Sequence, residues 1–431
     1  MLIFSKHITP RLQYVIRFIF EEFLGINTVI TSDEKYFIDA DQPKLSYAAE
    51  CFKNEFNITP VGLLHEESIR QISPEFGKWN EIPVIFPVNK SSDLPFDLFS
   101  AVFFLLTRYE EYLHFKPDRY RRFPAKESIC YRSGMLDLAV VDRWILRLYD
   151  LLKTKYPDLK PVRRSFRFIP TIDVDIPYEY RHKGILRCAG GALKSALKLE
   201  FKKVKERISV LTGKQKDPFY TFDRIKEMHP GEGLIIFILT AGYNRYDKGI
   251  HPGRKAFKEM VNEVSAFSHL GLHPSYHSNK DIDILEKELQ ALSHIAGKEI
   301  TRSRQHYLKL YFPGTYRKLS ELGISEDYSM GYPSHPGFRA GTCTPFYFYD
   351  LNNERETSLK IYPFQIMDRT LKDYLCLSPQ ETTRKISNLI KEVKNVNGTL
   401  ITIWHNDSFS DTGEWEGWLE VYQKLLEYVR K

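Results

Sequence analysis

Two short segments hold the residues best able to do chemistry. Thr171-Ile172-Asp173-Val174-Asp175 closes an apolar run with two carboxylates, and His273-Pro274-Ser275-Tyr276-His277 offers two imidazoles four positions apart. In an extended strand, residues two apart point the same way, so Asp173 and Asp175 can face one cavity. Carboxylates that close repel unless a cation or a proton separates them. One can ligate a metal while the other stays free as a base. Proline suits the first position of a helical turn, which puts His273 at the cap and His277 one turn on, facing the same side. With 13 histidines in the chain, an HxxxH pair alone carries little weight. Beside the aspartates it completes an Asp/His/His set with one spare carboxylate. A hydrolytic metal site needs three protein ligands, open positions for water and substrate, and a nearby base. His405, in Leu400-Ile401-Thr402-Ile403-Trp404-His405, is a polar tip after an apolar strand, a third candidate.

Apolar strands and helical stretches alternate from Phe166 onward. Phe166 to Ile172, Leu234 to Leu239 and Thr399 to Trp404 read as strands, while Lys255 to Phe267, Ile282 to Ile295, Pro379 to Val393 and Trp418 to Val429 read as helices. This is the pattern of parallel βα units, barrel or open sheet, and in both the catalytic residues collect at the C-terminal ends of strands. Asp173, Asp175 and His405 all sit at such ends. The first 160 residues read as a smaller α/β unit. Thr9-Pro10 starts an amphipathic helix stopped by Gly25, Ile26 to Ile30 and Ile82 to Phe86 read as strands, and Phe96 to Tyr112 as a buried helix. Pro157 and Pro161 mark the expected boundary, giving domains 1–160 and 161–431.

The chain has 431 residues, is 42% hydrophobic, and contains no continuous apolar stretch of membrane-span length. Five scattered cysteines form no CxxC pair, which argues against a disulfide framework and a cysteine zinc site. With no secretory signal read at Met1 to His7, the expected compartment is the cytoplasm. The net charge of +7 is concentrated between Arg181 and Lys216, where eleven Lys/Arg face two acids, Glu200 and Glu206. This segment reads as an amphipathic basic helix. It is either a solvated face or a surface for anionic glycans, nucleotide-linked sugars or an acidic membrane. No nucleic-acid motif accompanies it.

In their order, these pieces resemble the polysaccharide deacetylase family (the NodB-homology domain, carbohydrate esterase family four), in a long Bacteroidetes-type variant with an uncharacterised N-terminal domain. The family's five motifs can be placed between residues 166 and about 410. The first, usually TFDDG, falls on Thr171 to Asp175, with the aspartates one residue apart and the glycine missing. A DxD form belongs to peptidoglycan-deacetylase-like and allantoinase-like branches. The second, H[S/T]xxH, falls on His273 to His277, with Pro274 in the Ser/Thr place. The third, an Arg before an aromatic, falls on Arg304-Gln305-His306-Tyr307, with Arg339 in Gly337-Phe338-Arg339-Ala340-Gly341 competing. The fourth is placed at Asp368 and the fifth, LxH, at Ile403-Trp404-His405.

The resemblance implies a distorted (β/α) barrel of the NodB-homology type preceded by a smaller α/β domain. It implies that Asp175, His273 and His277 hold a divalent metal, zinc being expected for N2O ligation. Asp173, kept ionised by Arg304 or Arg339, would be the base, and His405, oriented by Asp368, the acid. Ile403, Trp404 and Tyr307 would line the substrate pocket. The implied activity is removal of N-acetyl groups from an acetylated amino sugar or a polysaccharide precursor, with an anionic substrate suiting the basic segment. Three alternatives stand beside it: a non-catalytic glycan-binding or scaffold protein on the same fold, a hydrolase of another non-peptide C–N bond, and a non-haem iron oxygenase using the same Asp/His/His set.

Overall fold

Ile235-Ile236-Phe237-Ile238-Leu239 is a continuous β-branched and apolar run, the composition of a strand buried on both faces, and every residue in it is buried. It sits in a mixed α/β fold. The computed structural model describes residues 1–88, 92–231 and 233–431. The chain forms two compact units. The first comprises Met1–Arg167, Leu310–Gln365 and Leu389–Leu400; the second comprises Phe168–Lys309, Ile366–Asn388 and Ile401–Lys431.

The first unit opens with a four-stranded parallel sheet of β1 (Leu2–Phe4), β2 (Val29–Thr31), β3 (Lys44–Tyr47) and β4 (Phe56–Ile58), in the order β2-β1-β3-β4. An antiparallel hairpin, β5 (Phe76–Trp79) and β6 (Ile82–Ile85), follows. The first helix starts as expected: Thr9 caps it by accepting from the Leu12 amide at 3.2 Å, and Pro10 occupies the first turn. The helix Leu98–Leu106 is buried along its whole length.

The second unit holds β7 (Arg167–Val174), β8 (Ile235–Leu239), β9 (His269–His273) and β10 (Arg302–Ser303). Three later strands, β11 (Glu326–Asp327), β12 (Phe346–Asp350) and β13 (Arg355–Ile361), belong to the first unit, where β12 pairs antiparallel and β11 parallel with β13. The second unit then resumes with β14 (Ile366–Met367) and β15 (Thr399–His405). Its strands run in the order β10-β9-β8-β7-β15-β14. The pairs β7–β8, β8–β9, β9–β10 and β14–β15 are parallel. Helices Lys255–Ser265, Ile282–Ala296, Pro379–Asn395 and Trp418–Arg430 fall where the apolar periodicity places them.

The sequence reading divides the chain once, near residue 160. The structure divides it near there but returns residues 310–365 and 389–400 to the first unit. Buried and half-buried ion pairs tie the returned segments to the first unit. Arg11 pairs with Glu354 at 2.5 Å, Arg339 with Glu111 at 2.5 Å, and Arg143 with Glu392. Such pairs are invisible to local patterning, because the partners lie hundreds of residues apart. The Gly337-Phe338-Arg339 segment is part of this packing. Gly337 has φ 122°, and a Cβ there would lie 2.2 Å from the Leu136 carbonyl oxygen, so glycine is required.

The basic segment is two helices, Ile185–Leu197 and Phe201–Leu211, rather than one. Among the described residues no helix is long and apolar enough to cross a membrane.

Candidate metal centre

Parallel strands bring their C-terminal ends to one edge, and the chemistry of this chain gathers there. Asp173 and Asp175 come from the end of β7, His273 from the end of β9, Arg304 and His306 from just past β10, Asp368 from just past β14, and His405 from the end of β15. Asp247 lies in the loop after β8.

Asp175 is the hub. Its Oδ1 lies 3.1 Å from His273 Nε2, and its Oδ2 lies 3.4 Å from His306 Nε2 and 3.8 Å from His405 Nε2. Each ring is fixed from behind through Nδ1. His273 Nδ1 meets the Arg304 carbonyl at 2.5 Å, His306 Nδ1 meets Asp247 Oδ1 at 2.8 Å, and His405 Nδ1 meets Asp368 Oδ1 at 2.7 Å. Carbonyl and carboxylate oxygens only accept, so Nδ1 carries the proton in all three. In the neutral imidazole, Nε2 is then a bare lone pair aimed at Asp175. The Asp175 Oδ1 atom is buried without a hydrogen-bond partner.

Neutral ring nitrogens facing a carboxylate at this distance need either a proton or a metal cation between them. Asp175, His273 and His306 place one donor atom each within 4.8 Å of one another. Bond lengths of about 2.0–2.1 Å to zinc put tetrahedral ligand atoms about 3.4 Å apart. The separations of 3.1 Å from Oδ1 and 3.4 Å from Oδ2 of Asp175 are of that order, each histidine facing its own carboxylate oxygen. Backing of each ring by a carboxylate or carbonyl is the usual outer shell of a histidine metal site.

The electrostatics follow the same geometry. Burial opposes ionisation of Asp175, but His306 and His273 outweigh it and hold the carboxyl well below its usual range. Burial likewise disfavours protonated His306, yet Asp175 and Asp247 push it up to about 9. His405 is pushed up to about 10, burial being overcome by Asp368, with Asp175 and Asp173 adding to it. The site thus pulls positive charge toward Asp175.

Asp173 is held differently. Arg304 Nη1 donates to Asp173 Oδ1 at 2.8 Å and to the Thr171 hydroxyl at 2.6 Å, and all three side chains are buried. The guanidinium stacks on Phe237, 4.3 Å from the ring centroid. Gly271, in register with Phe237, makes room for that ring: a Cβ there would lie 2.4 Å from two of its atoms. These contacts tell apart the two arginines read for the third motif. Arg339 is paired with Glu111 inside the first unit, while Arg304 is the arginine beside Asp173.

The structure brings together Asp173, Asp175, His273, Arg304, Asp368 and His405. It does not bring His277 to them. Residues 276–280 form turns, His277 is exposed, and its ring lies against Tyr246 and Tyr276. The expected helical turn fails because His269-Leu270-Gly271-Leu272-His273 is a strand, and proline keeps the residue before it extended. His306 faces Asp175 there instead, its Nε2 3.4 Å from Oδ2. Its sequence signal was the Arg304-Gln305-His306 spacing, two residues apart like Asp173 and Asp175. Asp247 had no motif signal beyond lying past a strand.

Trp404 also departs from expectation. It is fully buried and packs on Tyr422 of the C-terminal helix, 5.0 Å between ring centroids, so it is core and not pocket. Strand alternation puts Ile403 and His405 on the opposite face, and Ile403 is fully buried there. Tyr307 stays near the site, half-buried, its ring 4.5 Å from that of His306. Tyr307 and Leu308 have φ of 62° and 51°, left-handed backbone that non-glycine residues adopt at a cost of about 1–2 kcal/mol each. Such conformations cluster at functional sites.

Residues 1–157 match the model of a family described as a family of unknown function, DUF7033. No curated protein matches the sequence. Solved structures similar to this chain include polysaccharide deacetylases. A Mycobacterium smegmatis protein assigned as one aligns at TM-score 0.40 and 12% identity, covering 63% of this chain and 86% of its own. The Bacillus cereus polysaccharide deacetylase aligns at TM-score 0.31 and 11% identity, covering 62% and 88%. A Bacillus anthracis pseudoenzyme of family CE4 aligns at TM-score 0.29 and 12% identity, covering 63% and 66%.

Proposed function

We propose that this chain is a metal-dependent hydrolase that removes N-acetyl groups from an acetylated amino sugar or a glycan built of such units, acting on a cytoplasmic precursor. The observation that carries the reading is the convergence of His273 and His306 Nε2 on Asp175, with each Nδ1 already committed. Asp175, His273 and His306 would hold a divalent cation, zinc suiting N2O ligation. Such a cation, when bound, supplies Lewis-acid polarisation of an amide carbonyl.

The remaining chemistry belongs to the chain. Asp173, fixed by Arg304, takes a proton from the attacking water. Water adds to the acetamide carbon, and the C–N bond then breaks. His405, steered by Asp368 through its ring and its backbone amide, hands a proton to the departing amine. The products are acetate and a free amino group. Tyr246, Tyr276 and Tyr307 form a half-buried aromatic cluster beside the site, apolar rings with a polar tip that suit the face of a sugar.

The test is acetate release from N-acetylated chitooligosaccharides and from a nucleotide-linked N-acetylamino sugar. The zinc-loaded protein is expected to release acetate, and Asp173→Asn to lower the rate by about 10²–10⁴-fold while keeping its metal. An Asp173→Asn protein as fast as wild type would overturn the base assignment.

A further inference from the structure

The hairpin of helices Ile185–Leu197 and Phe201–Leu211 carries an apolar surface that the proposed hydrolysis does not use. Leu197 is 77% exposed, Leu199 73% and Phe201 66%, and Leu193 and Ile208 are also more than half exposed. They are not scattered. Leu193 and Leu197 are one helical turn apart, and Phe201, Ile208 and Leu211 fall on one stripe of the second helix. At the tip, Leu199 has φ 57°, so an apolar side chain is presented from a backbone conformation where a soluble turn would take Gly or Asn.

The hairpin is nonetheless built. Arg207 lies over the Tyr180 ring, 4.6 Å from its centroid, and reaches the Cys188 carbonyl at 3.4 Å, while the Tyr180 hydroxyl donates to Glu206 at 2.8 Å. Lys194, Lys198, Lys202, Lys203 and Lys205 surround the exposed leucines, in a segment with eleven basic residues against two acidic ones.

We infer that this hairpin is a peripheral docking surface for an anionic lipid bilayer, its leucines and Phe201 entering the headgroup boundary and its lysines meeting lipid phosphates. Charge complementarity selects this occupant. A second copy of the chain would set lysines against lysines, and an uncharged apolar partner would leave them unused. Apolar insertion combined with a basic rim is what interfacial helices use.

The experiment is sedimentation of the full-length protein with vesicles of phosphatidylcholine alone or with roughly 30% phosphatidylglycerol, beside the triple variant Leu197→Ser, Leu199→Ser, Phe201→Ser. Binding is expected only to the anionic vesicles. It should weaken at least tenfold in the triple variant, and fall when ionic strength rises through the physiological range. Circular dichroism and metal content of the variant should match wild type, since all three side chains are exposed. Failure to bind anionic vesicles would overturn the inference. So would equal binding by the variant, or self-association that the variant abolishes. Acetate release is independent of these readouts, so the two proposals fail separately.

Discussion

At the scale of single residues, spacing made the aspartate pair legible and misplaced one histidine. Asp173 and Asp175 sit where strand alternation puts them, and Asp368 and His405 meet at 2.7 Å. His277 looked like the third ligand because four-residue spacing is one helical turn; the segment is a strand end followed by turns, so the spacing has no such meaning. Asp247, buried and accepting from His306, Asn244 and the Tyr276 amide, is the residue that sequence could not nominate. Asp247→Asn should lower zinc affinity about 10- to 100-fold without unfolding the protein, measured by competition with a chromophoric chelator; unchanged affinity would remove Asp247 from the site. The two arginines should separate cleanly. Arg339→Ala leaves buried Glu111 paired with Arg108 alone and should cost about 1–3 kcal/mol in urea unfolding while the folded fraction keeps its metal. An Arg339→Ala protein of normal stability would contradict the buried pair.

At the scale of elements, β7, β8, β15 and the helices from Lys255, Ile282, Pro379 and Trp418 were legible because each is a long apolar run or strongly periodic. Among the elements the sequence did not reveal are β9, whose Gly271 weakens the strand signal, and the two-residue strands β10 and β14. The structure explains that glycine by the Phe237 ring beneath Arg304. Gly271→Ala should cost about 1–3 kcal/mol and shift Arg304 from Asp173, lowering acetate release more than metal content. Normal activity in that variant would show that the ring does not position the arginine. His229, which ends the helix Phe222–Met228, meets the Tyr422 hydroxyl at 2.8 Å, and burial, aided by Arg430, lowers it to about 4. A histidine whose folded pKa lies below its unfolded value costs nothing above pH 6.5 and removes stability as pH falls from there through 4. The loss is at most about 3 kcal/mol. His229→Gln should flatten this acid limb in thermal melts between pH 7 and 4.5; an identical slope would contradict the assignment.

At the scale of the whole molecule, the α/β class and the position of the site at strand ends were readable, because alternation and apolar runs are local properties. The interleaving of the two units was not, because it rests on pairs such as Arg11–Glu354 and Arg143–Glu392 that join distant segments. Uneven charge was readable as well, but not the exposure of the leucines it surrounds, which is a property of the fold. The proposed hydrolysis rests on a metal ion held by Asp175, His273 and His306. The measurement that tests it most directly is metal content, after loading with zinc, cobalt or nickel, of wild type, His306→Ala and His277→Ala. Wild type and His277→Ala should each hold about one ion per chain, and His306→Ala should lose it. Retention in His306→Ala with loss in His277→Ala, or no bound ion in wild type, would contradict the account.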